Sequence, residues 1–153
     1  MFLASCPWKC SRIIQERVIC SVTASIKYDV PANIILAVAE LENGKSGQYR
    51  RNKNGSEDVG IMQFNSNYLL ELSVYGITSK DVAQAGCYPY ELATWRLRKH
   101  ILHDKGDLWT NAANYHSRTP KYNTIYRHKL KTAARRWAEW LTQHFNTRIT
   151  DNS

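Results

Sequence analysis

Residues Pro31–Gly44 read PANIILAVAELENG. Ile34, Ile35, Leu36, Ala37, Val38, Ala39 and Leu41 leave this segment almost no polar face, so as a helix it belongs in the core. Proline suits the first turn of a helix and glycine its end, which predicts a helix from Pro31 to Asn43 stopped by Gly44. Glu40 and Glu42 close the segment. A glutamate there is either a solvated end residue or a carboxyl held against apolar surface, where desolvation favours the protonated form. Helix geometry alone favours the solvated alternative, for Glu42 as for Glu40.

Outward from this helix the pattern stays helical. Ile14, Val18, Val22 and Ile26 recur every four residues and predict an amphipathic helix over Ser11 to Tyr28. After Gly44, Lys45 to Glu57 is a polar loop. Val59, Ile61 and Phe64 support only a short extended segment or small hairpin. On such a segment Gln63 and Asn65 share one side, where their amides suit sugar hydroxyls; an ordinary polar loop before a core-facing strand fits as well. Short helical pieces are expected at Asn67–Leu72 and Ser79–Ala83. A longer helix follows at Pro89–Asp104, with Leu92, Trp95 or Arg96, and Lys99 along one side, then another at Leu108–Tyr115. Thr119-Pro120 opens a last long helix whose apolar positions Tyr122, Tyr126, Leu130, Ala133, Trp137 and Leu141 follow helical spacing. With no repeat or linker, residues 1–153 read as a single mostly helical domain with a core of about 11–145.

Composition narrows the partners. Hydrophobic residues make up 43% of the 153, with five Trp and nine Tyr, which argues against disorder. The net charge of +8 suits an anionic partner such as nucleic acid, an anionic membrane or an acidic cell-wall polymer. The basic stretch Arg127–Arg136 (RHKLKTAARR) reads as the solvated outer face of the last helix, so no nucleic-acid partner is expected. No run of about 18 apolar residues marks a membrane span. His100 and His103 lack further ligands, and Cys6-x3-Cys10 lacks a matching pair, so neither metal nor cofactor is expected. Four cysteines, Cys6, Cys10, Cys20 and Cys87, allow three complete pairings in an oxidising compartment; free thiols are the alternative. The start, MFLASCPWKC, lacks a charged n-region and an apolar h-region. Leu3-Ala4-Ser5-Cys6 resembles a lipoprotein cleavage box, which would act only within a longer precursor.

Chemistry concentrates in Glu42 and in Asn52–Ser66 (NKNGSEDVGIMQFNS), where Asp58 offers a second carboxylate in a polar turn. Two carboxyls in contrasting settings are what acid-catalysed cleavage of a sugar–sugar bond uses. Ala37-x-Ala39-x-x-Glu42-x-Gly44, then Asn54-Gly55-Ser56-x-Asp58-x-Gly60-Ile61-Met62-Gln63-x-Asn65-Ser66, the Cys87 segment and Asn114-Tyr115-His116-Ser117 together resemble the specialised lytic transglycosylases that accompany bacterial secretion, conjugation and pilus machines. The resemblance runs from about Cys20 to Tyr126.

It implies a mainly α, α+β lysozyme-like fold with a small extended or β segment at about residues 50–66 lining a peptidoglycan groove. Glu42 matches the catalytic acid/base. Gln63 matches the groove glutamine after Gly-x-Met, with Met62 and Asn65 beside it, and His116, next to Tyr115, reads equally as a groove residue or a loop cap. Tyr115 matches the tyrosine that hydrogen-bonds the catalytic carboxyl, and Cys20 with Cys87 the cysteines commonly paired. Asn43 stands where the family usually has serine. Asp58 falls on the aspartate of c-type lysozymes, to which Arg51–Ser66 is also similar, so a site with two catalytic carboxyls, Glu42 and Asp58, is conceivable. The implied activity is cleavage of the N-acetylmuramic acid–N-acetylglucosamine bond with formation of a 1,6-anhydro end. Hydrolysis by Glu42 and Asp58, or peptidoglycan binding without cleavage, are the alternatives. The implied setting is the bacterial periplasm, as a monomer serving a secretion, conjugation or pilus apparatus.

Overall fold

The apolar segment forms the central helix. In the computed structural model, which describes residues 12–144, α2 spans Ala32–Glu42 and every residue from Ala32 to Ala39 is buried. Around it come α1 (Arg12–Tyr28), α3 (Ser66–Leu72), α4 (Ser79–Ala83), α5 (Tyr88–His103), α6 (Leu108–Ala113) and α7 (Pro120–His144), with a 3-10 turn at Ser73–Tyr75. Helices α1, α5 and α7 all pack on α2. Between α2 and α3 the chain makes a small antiparallel sheet, β1 (Tyr49–Arg51), β2 (Glu57–Val59) and β3 (Phe64–Asn65), in that order. The fold is therefore mainly α with a small sheet, the lysozyme-like class that the resemblance implies.

Two ties fix α2 to α7. The buried Asn33 side chain donates through Nδ2 to the Ala134 carbonyl at 3.2 Å, giving an amide in the core the partner it requires. Near the other end Arg136 grips both oxygens of Glu40, at 3.2 and 3.0 Å. A disulfide joins Cys20 of α1 to Cys87 at the start of α5, the pairing implied by the family pattern. Short helices are started by side-chain caps. The Asn65 side chain accepts from the Asn67 N–H, Asp107 from Thr110, and Thr78 and Asp81 cap each other reciprocally.

Burial along three helices adds detail to the spacing read from the sequence. Ile26 does not join Val18 in the core but is 77% exposed. A spacing of four drifts by about 40° per step on a helix of 3.6 residues per turn, so the fourth member leaves the face. On α5 the buried side is Tyr90, Leu92, Ala93 and Leu97, whereas Lys99 is exposed. On α7, Tyr122 points outward while Tyr126, Leu130, Ala133 and Leu141 are buried. The expectations for Cys6, Cys10, the cleavage box and the chain from Phe145 onward lie outside the described residues.

Candidate active site

Helix α2 ends by turning sharply. Asn43 adopts the left-handed region (φ 49°) while its N–H still bonds the Ala39 carbonyl. The next residue passes so close to the turn at Gly60–Ile61 that a Cβ on Gly44 would run into the Gly60 carbonyl oxygen. Glycine is therefore required there for space, and the contact pins the end of α2 to the segment between β2 and β3.

This places Glu42 in a cleft of about 360 Å³, with Asn43, Arg50, His116, Tyr126 and Lys129 among the residues around it. The Glu42 side chain is only 10% exposed. The Tyr126 hydroxyl, from α7, donates to its Oε1 at 2.8 Å. Burial, and then the neighbouring Glu42 charge, push the Tyr126 phenol well above its ordinary pKa, so it stays protonated and donates. His116 lies flat on Tyr126 with ring centroids 4.5 Å apart and an interplanar angle of 4°. Its Nδ1 is 3.8 Å from Glu42 Oε1, and about half of the side chain remains exposed to the cleft.

The tyrosine that reaches the carboxylate is thus Tyr126 and not Tyr115. Tyr115 is buried and donates to the Met62 carbonyl at 2.9 Å, with its ring edge-on to Phe64. Met62 itself is fully buried, so its side chain packs the core instead of facing a ligand. Gln63 is not on an extended strand. Its φ of 53° puts it in the turn before β3, where Nε2 donates to the Gly60 carbonyl at 2.9 Å. Its Oε1 is buried with no hydrogen-bond partner among the described residues. The Asn65 amide is spent internally, donating to Asp58 Oδ1 at 2.9 Å and Ser56 Oγ at 3.1 Å. Of the expected groove residues, His116 is the one the structure sets beside Glu42.

Asp58 sits on β2, opposite Arg50 on one side and Asn65 on the other. Its Oδ2 accepts from Asn52 Nδ2 at 3.0 Å and pairs with Arg50 at 3.5 Å, and its Oδ1 takes the Asn65 amide. Asp58 is absent from the lining of the Glu42 cleft, whereas its partner Arg50 is part of it. The carboxylate therefore organises the sheet and anchors an arginine at the cleft wall.

A family model for the transglycosylase SLT domain matches residues 19–136, a span that contains Glu42, the sheet, His116 and Tyr126. The chain belongs to that family. Invasion protein IagB of Salmonella typhi is 26% identical over 136 residues, covering 86% of this chain and 84% of the relative. Protein IpgF of Shigella flexneri is 29% identical over 125 residues, covering 75% and 82%. For a transglycosylase SLT domain the notable features are Tyr126 and Arg50, which were not singled out as site residues from the sequence. Tyr126 read there as an apolar position of α7. The available signal was its hydroxyl, because a tyrosine on a buried helix face needs a polar partner.

Tyr126→Phe isolates that hydrogen bond. Losing a bond to a charged group, worth about 1.5–3 kcal/mol, is expected to slow glycan cleavage roughly 10- to 100-fold with little change in substrate affinity. Steady-state kinetics on soluble glycan fragments would show it; an unchanged rate would remove Tyr126 from the site.

Proposed function

We propose that this chain is a peptidoglycan lytic transglycosylase that cleaves the bond from N-acetylmuramic acid to N-acetylglucosamine and leaves a 1,6-anhydro end. The carrying observation is the arrangement of carboxylates: Glu42 is in the cleft, bonded by Tyr126, while Asp58 is bound to Arg50, Asn52 and Asn65. Tyr126 and His116 both address Oε1 of Glu42, which leaves Oε2 for the substrate.

In the first step Glu42 gives its proton to the bridging oxygen as the bond from C1 breaks, and positive charge develops on the muramic sugar. Glu42, now a carboxylate, then takes the proton of the same sugar's 6-hydroxyl. The freed oxygen closes on C1, so no water is consumed and Glu42 recovers its proton. A retaining hydrolase would instead need a second carboxylate free to meet C1. Asp58 is absent from the lining of the Glu42 cleft, which favours the route with a single carboxylate.

The proposed setting is the periplasm, at a secretion, conjugation or pilus apparatus. The Cys20–Cys87 disulfide suits an oxidising compartment such as the periplasm. No described helix is long and apolar enough to cross a membrane. The resemblance to transglycosylases of secretion, conjugation and pilus machines, together with a relative named as an invasion protein, points to local opening of the wall for such an apparatus.

Digestion of purified peptidoglycan followed by mass spectrometry is the direct test. Released ends lighter by one water support transglycosylation. Reducing ends would assign hydrolysis, and retention of the polymer without cleavage would make the domain a binder. Asp58→Asn is expected to keep the anhydro product and a rate within about tenfold of the parent, because it disturbs Arg50 and the sheet without removing a reacting group. A loss comparable to that of Glu42→Gln would give Asp58 a catalytic role.

A further inference from the structure

The imidazole of His116 stands too far from Glu42 to hold it directly. Its Nδ1 is 3.8 Å from Glu42 Oε1, beyond hydrogen-bond range. About half of the side chain is exposed, so water screens a Coulomb contact with the carboxylate. The close contact of His116 is with Tyr126. The two rings lie parallel, with 4.5 Å between centroids and 4° between planes. Tyr126 in turn donates its hydroxyl to Glu42 Oε1 at 2.8 Å. A phenol turns about two side-chain bonds, and a hydrogen bond weakens steeply as its angle opens. Both rings line the cleft, and His116 covers one face of Tyr126 there, which restricts that turning.

The turn that carries His116 is tied down on the same helix. Asn123 is buried and lies three residues before Tyr126 on α7, so the two share a face. Its Nδ2 donates to Asn114 Oδ1 at 2.8 Å and to the Ser117 and Thr110 carbonyls at 3.1 Å each. The Asn114 amide donates onward to Asp104 Oδ2 at 2.8 Å. Within the turn, the His116 and Ser117 N–H groups both bond the Ala113 carbonyl, at 3.0 and 3.2 Å. Buried polar groups satisfied in this way rigidify what they join. The imidazole is thus held from both sides of the chain in register with the tyrosine, and the stack acts as a constraint on the Tyr126 ring.

We propose that His116 is a positioning residue for the cleavage reaction: held by the turn that Asn123 anchors, its ring lies on Tyr126 and keeps the phenol hydroxyl aimed at Glu42. The flat ring carries this role, and its nitrogen does not. The assignment rests on the reading of Glu42 as the acid that cleaves the glycan, and adds what holds the hydroxyl partner of that acid in place.

The test is steady-state cleavage of soluble glycan fragments by the parent, His116→Ala, Tyr126→Phe and the double variant. Loss of the stack is expected to lower kcat roughly 3- to 10-fold while KM stays within about twofold. In the Tyr126→Phe background no hydroxyl remains to be aimed, so the same substitution is expected to cost less than about twofold. His116→Phe restores a flat ring without a nitrogen and is expected to recover most of the kcat lost in His116→Ala. Because His116 is about half exposed, a thermal melt close to that of the parent should accompany both of its single variants. An equal loss of kcat in the two backgrounds overturns the positioning role, as does a change confined to KM or a rate that His116→Phe fails to restore. In each of these results the parent still cleaves, so the reading of Glu42 stands. A parent that cleaves no glycan overturns that reading, and this assignment with it.

Discussion

Glu42→Gln is expected to lower peptidoglycan cleavage by about 10²–10⁴-fold, because the amide can neither give nor take the proton that both steps require. The exchange keeps the shape of the side chain and an oxygen able to accept the Tyr126 hydroxyl, so the packing of α2 against α7 should persist. Release of soluble muropeptides and a thermal melt, measured on the same preparations, separate the two effects. A cleavage rate within tenfold of the parent would dismiss Glu42 as the acid. A collapse of the melting transition would instead mean that the loss of rate reports unfolding of α2 from α7.

The second large effect concerns stability. Cys20 and Cys87 close a loop of 67 residues that contains α2, the sheet, α3 and α4, and with them Glu42 and Asp58. Limiting the unfolded chain across a loop of that length is worth about 4 kcal/mol in the chain-entropy picture. Replacing both cysteines by serine is therefore expected to lower the melting temperature by roughly 10–15 °C. Thermal denaturation of the double variant checks this, and the parent melted in reductant should follow it down. A shift of only a degree or two would mean that packing of α1 on α5 already sets the same constraint.

Legibility in the sequence depended on how local each signal was. The α2 helix was readable because eight consecutive residues, Ala32 to Ala39, are buried, and no periodic argument was needed. The end of α4 at Ala83 and the start of α7 at Pro120 also followed from local residues. Side-chain roles around Glu42 were harder. Treating Gln63 and Asn65 as neighbours on one strand assumed regular alternation, and a left-handed residue at Gln63 breaks it. Tyr115 and Tyr126 are both buried tyrosines, and only the docking of α7 decides which hydroxyl meets Glu42 and which meets the Met62 carbonyl. Asp58 resembled a second catalyst by position. Its actual partners include Arg50 and Asn65, one strand away on either side, and that pairing is set by sheet register.

The separation of Glu42 from Tyr126 has a consequence for when the protein becomes active. The two residues lie 84 positions apart, so their hydrogen bond forms only once α7 has docked along α2. Contacts this distant in sequence require the loop between them to close before they contribute anything. A chain still emerging from a ribosome or a translocation pore, or one cut short before α7, holds the acid but lacks the hydroxyl that positions it. Under the proposed wall-cleaving function, that order of assembly delays cleavage until α7 has been made and docked.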